Sequence, residues 1–270
     1  MNKYERITIN AKIEELEKSK QFDVDACENP NFEPIKPGEV DYLKNKLSSK
    51  IKNKYCEYLL SRFIKNKEKH HKGIIKEVIG AEKLDGLSGG AIITSNHFHP
   101  FDSYPIRREC EKRRKKLYTI IAEHNYAGAG GFYGKLFRNL KTLPLAQNPK
   151  VLMECMRAVK QILANGDYIL IYPEQALWWN YRKSRPLKLG AFDIAVKNNV
   201  PVVACFITMT DSKYKDDDTY PVQEYTLHIL DVIYPDPNLA SKENALMLKN
   251  KNEELAKGIY EKFYNKKLTY

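Results

Sequence analysis

Long apolar runs are missing from this sequence. The longest, residues 200–209, is about half of the roughly 20 residues that a membrane-crossing helix needs. The N-terminal stretch MNKYERITINAKIEELEKSK lacks the apolar segment of an export signal. Neither a transmembrane segment nor export is therefore expected. Cysteine is sparse as well. Cys27, Cys56, Cys110, Cys155 and Cys205 are an odd number, widely spaced, with no C-x-x-C pair. That argues against a disulfide framework or a zinc knuckle and fits a reducing cytoplasm. Glycine and proline, 13 each among 270 residues, are too few for a collagen-like or low-complexity chain. Acidic residues fall short of basic ones, 34 against 45, and the resulting +11 attracts an acidic partner. Nucleic acid, an anionic membrane surface and an acidic carrier protein all answer that description.

What is present is a chain with enough apolar residues, 43%, and enough length for one substantial core plus an extension. Its positive charge is concentrated. Residues 44–72 hold ten Lys/Arg against Glu57 and Glu68, while Leu43, Leu47, Ile51, Tyr55, Leu59 and Phe63 recur every four residues. The spacing predicts a basic amphipathic helix. Such a helix either packs on the domain with a solvated Lys-rich face or lies at an anionic lipid surface, with lysine stems flanking its apolar stripe. A second run, residues 107–116, holds seven basic residues against Glu109 and Glu111 and reads as the exposed end of a surface helix. No nucleic-acid motif or aromatic interleaving accompanies either run, so nucleic acid is not expected as a partner.

The proline-rich segment ENPNFEPIKPG, residues 28–38, reads as a connector between an N-terminal helix near 7–20 and the basic helix. Beyond Gly73 the character changes. β-rich runs at 91–95, 117–122, 168–172, 201–208 and 225–233 alternate with helical patterns at 101–116, 150–164, 187–198 and 241–265. Alternation of this kind predicts an α/β fold: a largely parallel central sheet flanked by helices, with an N-terminal helical extension. Residues 1–75 are expected to form a basic, membrane-interfacial helical segment, and residues 76–270 the catalytic domain.

The segment that carries chemistry is AIITSNHFHPFD, residues 91–102. A buried-type strand leads into Asn96, His97, Phe98, His99, Pro100, Phe101 and Asp102, and ligands of α/β sheets sit at the carboxyl ends of strands. The fixed φ of Pro100 suits a first helical turn, which would put Asp102 in that turn and His97 before it. On one continuous helix, side chains five residues apart diverge by about 140°, so the pair can meet only across a break. A carboxylate is favoured at a helix N-terminus and, bound to one ring nitrogen, would fix the histidine's tautomer. The pair then reads as a general base for a hydroxyl, against the alternative that both residues are merely capping groups.

NHFHPFD resembles the N-H-x-x-x-x-D block of the glycerolipid acyltransferases, the family of bacterial 1-acylglycerol-3-phosphate acyltransferases. Three further blocks follow in that family's order. GFYGKLFRNLKTLPL (131–145) stands where the family has a Phe-Gly segment leading to a substrate-binding arginine; ILIYPEQALWW (169–179) stands where it has Phe-Pro-Glu-Gly-Thr-Arg; KNNVPVVACFI (197–207) stands where it has a Val-Pro-Val-Val strand. The resemblance covers roughly residues 75–235 and implies an enzyme of phospholipid biosynthesis. It implies that His97, oriented by Asp102, deprotonates an acceptor hydroxyl. The alkoxide then attacks an acyl thioester of coenzyme A or acyl carrier protein, with a lysophospholipid or related lipid as acceptor. No cofactor and no metal is implied beyond that co-substrate. Glu174 matches a position implicated in acceptor binding, and Tyr172 and Pro173 lead the strand into its loop.

The departures matter too. Gln175, Ala176 and Leu177 replace the family's Gly-Thr-Arg, and Ala146 and Gln147 occupy the stretch where the second block ends in arginine. Arg182 and Arg185 would restore one substrate-binding charge if the loop folds back; otherwise they are surface arginines. The Trp178–Trp179 pair reads as loop packing or as an acyl-chain floor. Two other functions stay open: a metal-dependent hydrolase using His97, His99 and Asp102 with His124 or His228, and a catalytically inert lipid-binding protein of the same fold. The expected location is cytoplasmic, peripheral on the inner face of the cell membrane.

Overall fold

The computed structural model of the chain describes residues 3–27, 29–71, 74–216 and 220–270. Glu28, at the head of the expected connector, and Lys72 and Gly73, where the sequence changes character, lie outside the described residues. The strands are β1 (Ile74–Ile79), β2 (Ala91–Thr94), β3 (Leu117–Ala122), β4 (Thr142–Leu145), β5 (Tyr168–Ile171), β6 (Val202–Lys215) and β7 (Pro221–Ile233). They form one sheet in the order β1-β7-β6-β2-β5-β3-β4. Neighbours pair in parallel except β6 and β7, which are antiparallel, so β7 and β1 run against the other five.

Two strands that the sequence pattern does not announce, β1 and β4, are the two edges of the sheet. Their composition explains why. Edge strands are kept short and carry charges or proline, which blur the apolar signature. IIKEVI has two charged residues among six, and TLPL is four residues long with Pro144 inside it. The central strand β2 shows the opposite pattern, with all four residues buried, as expected of a parallel strand covered on both faces.

Helices α1 (Lys3–Lys18) and α2 (Leu47–Lys69) precede the sheet; α3 (Ser103–Lys112), α4 (Glu123–Ala127), α5 (Gly131–Asn139), α6 (Pro149–Ala164), α7 (Gly190–Lys197) and α8 (Ser241–Tyr264) are interleaved with it. Successive residues of β2 feed opposite layers. Ile92 joins a core with Val159 and Ile162 of α6, Phe192 of α7 and Leu248 of α8, while Ile93 joins another with Ile106 and Cys110 of α3. A further cluster binds α2 to the α3 side through Cys56, Leu60, Ile64, Tyr104, Leu136 and Leu140. At the foot of β2 only glycine fits: a Cβ on Gly90 would lie 2.3 Å from the Leu163 carbonyl oxygen.

The four-residue stripe of α2 does not form one face. Each step of four residues advances about 40° around a helix, so Leu47 and Phe63 end about 160° apart. The stripe precesses from solvent into the protein. Leu47, Ile51, Tyr55 and Tyr58 are 75%, 61%, 50% and 59% exposed, whereas Asn53, Cys56, Leu60 and Ile64 are buried and Phe63 is packed against their cluster. The helix therefore packs on the domain and still presents an apolar strip to solvent. No described helix is long and apolar enough to cross a membrane.

Truncating the two faces of α2 has unequal effects. Leu60→Ala removes buried apolar volume and is expected to lower unfolding free energy by about 2–4 kcal/mol, whereas Ile51→Ala changes it by about 0.5 kcal/mol or less. A larger loss for Ile51→Ala than for Leu60→Ala in urea titrations would show that the helix packs through the other face.

Candidate active site

β2 lies at the centre of the sheet between β6 and β5, and the chain leaves β2 towards β3 on one side but leaves its neighbour β6 towards β7 on the other. Such a switch point leaves a crevice at the carboxyl ends of the strands. The loop leaving β2 is pinned there by Asn96, whose Nδ2 donates to the Ile207 carbonyl at 3.0 Å and whose Oδ1 accepts from the Ile207 N–H at 2.8 Å. His97 follows. Its Nδ1 lies 2.8 Å from Asp102 Oδ2, and its side chain keeps 21% of its exposure against 1% for the aspartate. The nitrogen facing the crevice is therefore Nε2.

The break that lets the two residues meet differs from the expected one. α3 begins at Ser103, not at Pro100, and residues 99–102 form turns in which Asp102 N–H donates to His99 O at 3.1 Å. Pro105, three residues into the helix, falls in the turn where a missing N–H is harmless. Asp102 caps no helical N–H; its Oδ2 reaches back to accept from the N–H groups of Phe98 (3.0 Å) and His99 (3.2 Å) as well as from His97. Burial pushes this carboxyl up, but the His97 charge and the hydrogen bonds from His97, Tyr172 and Phe98 prevail and hold it below the usual carboxylate range. Tyr172, one residue past β5, stacks on the His97 ring with centroids 3.9 Å apart and donates its hydroxyl to Asp102 Oδ1.

Glu174 and Arg185 form a buried ion pair, with Nη2 and Nε of the arginine 2.7 and 3.1 Å from Oε2. The pair grips the backbone of His97: Glu174 Oε2 accepts the His97 N–H at 3.1 Å, and Arg185 Nη2 donates to the His97 carbonyl at 3.2 Å. Arg185 also donates to the carbonyls of Phe22 and Ala176. The loop has folded back, as one expectation required, yet its arginine is spent inside the protein. Arg182 points elsewhere, to Asp211 and Gln223 on the β6–β7 hairpin and over the Tyr264 ring. Pro173 is buried, and its carbonyl accepts from the Lys188 N–H at 2.8 Å. Gln175 adopts a left-handed backbone, φ +68°, where the resembling family has glycine. The turn is kept at a cost of roughly 1 kcal/mol.

The two tryptophans differ in their surroundings. Trp178 is fully buried beneath Ile13 and Leu16 of α1 and donates its ring N–H to Val24 O at 2.8 Å. Trp179 lies beside His99, with ring centroids 4.8 Å apart. Gln147 keeps its backbone N–H on buried Glu123 Oε2 at 3.0 Å, and the other oxygen of Glu123 accepts from Ile35 in the connector at 2.8 Å. The histidines weighed as metal ligands do not converge. His99 Nδ1 accepts from the Phe101 N–H, His228 meets Thr208, and His124 packs near Phe32. Among the described residues no group of three or more His, Cys, Asp or Glu is placed to hold a metal ion.

His99 sits over a small cavity of about 40 Å³ lined by Phe98, Phe101, Tyr225 and Ile64. Burial lowers its pKa to about 4, against the opposing charge of Asp102. The ordinary value is 6.5, so the unfolded chain takes up a proton at this residue before the folded one does. Its contribution to stability is complete above pH 6.5 and is lost as pH falls from 6.5 towards 4. His99→Gln, which retains a side-chain acceptor, is expected to flatten the fall of Tm between pH 7 and 4.5; parallel Tm curves for variant and wild type would contradict this.

The model of the family described as Acyltransferase matches residues 64–208, more than half of the chain. No curated protein matches the sequence. Among solved structures, the crystal structure of the 1-acyl-sn-glycerophosphate (LPA) acyltransferase PlsC from Thermotoga maritima is similar. It is 19% identical, with a TM-score of 0.52 over 82% of this chain and 81% of that one. The shared architecture is the helix-flanked, mostly parallel sheet, and the matched segment runs from the inner half of α2 into β6, carrying the loop of His97 and Asp102 within it. On that match this chain belongs to the acyltransferase family.

Proposed function

We propose that the chain is an O-acyltransferase of phospholipid biosynthesis that moves a fatty acyl group from a coenzyme A or acyl-carrier-protein thioester to a hydroxyl of a lysophospholipid or related lipid. The observation that carries this reading is the His97–Asp102 contact of 2.8 Å at the carboxyl end of the central strand. With Nδ1 held by Asp102, Nε2 takes the proton of the acceptor hydroxyl. The oxygen then bonds to the thioester carbonyl carbon, the carbon–sulfur bond breaks, and the thiolate leaves with the proton that His97 returns. The histidine ends as it began. No acyl-enzyme and no cofactor is required.

In this reading Glu174 and Arg185 act on the substrate indirectly, by fixing the backbone on either side of His97. The acceptor headgroup is held without the two arginines typical of the resembling family, whose places are taken by Leu177 and by the stretch at Ala146 and Gln147. Residues 76–270 carry the chemistry; within residues 1–75, α1 and the segment after it brace the loop of Glu174, and α2 delivers the lipid. The exposed strip of Leu47, Ile51, Tyr55 and Tyr58 falls within an arc of about 80°, bordered on one side by Lys50 and Lys54 and continued along the helix by Arg62 and Lys65, and suits an anionic membrane surface on the cytoplasmic side. Aromatic rings lead inward from α2 towards the loop of His97: Phe63 lies 5.1 Å from Phe101, and Phe101 lies 5.7 Å from the His99 ring.

Two measurements test the reading. His97→Ala is expected to lower turnover by about 10²–10⁴-fold with little change in Tm. Near wild-type transfer from radiolabelled acyl-CoA and acyl carrier protein by the folded variant would sink the mechanism, and wild type inert with every thioester and lipid hydroxyl would favour a binding protein. On vesicles, each basic residue near the surface contributes about 1 kcal/mol, screened over roughly 8 Å at physiological salt. The protein should sediment with anionic but not neutral vesicles at low salt and release as salt rises. A variant with Lys46, Lys50, Lys52 and Lys54 changed to Gln should bind more weakly; negligible sedimentation of wild type with both lipids would remove the docking role of α2.

A further inference from the structure

We propose that Tyr172 is a positioning residue of the His97–Asp102 pair, its hydroxyl holding the Asp102 oxygen that the histidine does not use and thereby setting how strongly the carboxylate draws on the imidazole. The proposal rests on the reading of His97 as the base. Three donors share Asp102 Oδ2, namely His97 Nδ1 and the N–H groups of Phe98 and His99. Oδ1 accepts from the Tyr172 hydroxyl. The same ring lies flat on the imidazole, at an interplanar angle of 15°, so one side chain fixes both the orientation of the base and the charge of its partner. Where Tyr172 stands, the third block of the glycerolipid acyltransferases begins with phenylalanine. A phenylalanine stacks equally well but donates nothing.

The physical argument has a definite sign. A donor on an ionised carboxylate spreads its charge and weakens its pull on a neighbouring imidazolium; removing the donor strengthens that pull. Burial, followed by the charge of Asp102, pushes the Tyr172 phenol well above its ordinary value, which keeps it protonated as a donor. The other groups facing the pair stay in place when the hydroxyl goes. Tyr225 from β7 faces Asp102, and Arg107 from α3 faces Tyr172. Lys67 from α2 and Asp216 beyond β6 act on His99 beside the pair, and Glu174 with Arg185 holds the His97 backbone.

Tyr172→Phe separates the hydroxyl from the stack. Titration of the His97 ring by NMR, with its resonances assigned by their loss in His97→Gln, is expected to show a midpoint raised by about half a pH unit or more. The acidic limb of the kcat/KM profile moves the same way. Incorporation of 3,5-difluorotyrosine at position 172, a stronger hydrogen-bond donor, shifts the midpoint downward and serves if the phenylalanine variant folds poorly. An NMR midpoint unmoved by both replacements overturns the proposal. A midpoint that moves while the acidic limb stays put upholds the role of Tyr172 and refutes the base assignment of His97 instead.

Discussion

The ion pair between Glu174 and Arg185 is the constraint on which the site depends. Taking two charges out of water costs several kcal/mol per ion and is tolerable only when geometry and further hydrogen bonds compensate. Here they do: the carboxylate accepts from the backbone N–H groups of His97 and Arg185 as well as from the guanidinium, and the guanidinium reaches the carbonyls of Phe22, His97 and Ala176. One buried contact thereby joins the loop after β2, the loop after β5 and the segment after α1. The crevice histidine is held at both its N–H and its carbonyl, and its ring is oriented by Asp102 and Tyr172.

That arrangement explains why an N-terminal helix remote in sequence belongs to the site. Ile13 and Leu16 of α1 cover Trp178 and Ala176, Asp25 accepts the Leu177 N–H, and Asp23 pairs with Lys188. Water is kept from the ion pair by this cover, and a low local dielectric strengthens every hydrogen bond inside it. Close packing and charge burial are here a single device. The loop it stabilises includes Gln175 in a left-handed conformation that glycine would adopt freely.

Helix α2 shows how one element can serve packing and exposure together. Its buried face meets α3 and α5 through Cys56, Leu60, Ile64 and Leu136, while Lys141 from β4's approach ties Asn53 and Glu57. The opposite side keeps its leucine, isoleucine and tyrosines in solvent. Isolated apolar side chains on a surface are ordinary; here they are contiguous, with basic residues beside them, on a helix already anchored through its other face.

The sequence by itself determined the alternation of strands and helices, and hence the helix-flanked, mostly parallel sheet, because buried parallel strands and amphipathic helices have distinct apolar periods. It also determined the family, through ordered blocks led by His97 and Asp102, since chemistry at a strand end demands particular side chains at particular separations. Tertiary structure decided the rest. The edge strands β1 and β4 were hidden by charge and proline, and the antiparallel pairing of β6 with β7 joins strands whose composition carries no direction. The start of α3 at Ser103 follows from Asp102 turning back to three donors, a choice no local pattern contains. Arg185 could be read as a surface charge or a substrate contact; only folding brings Glu174, Phe22 and His97 around it, because a guanidinium's partners are set by distance in space and not along the chain.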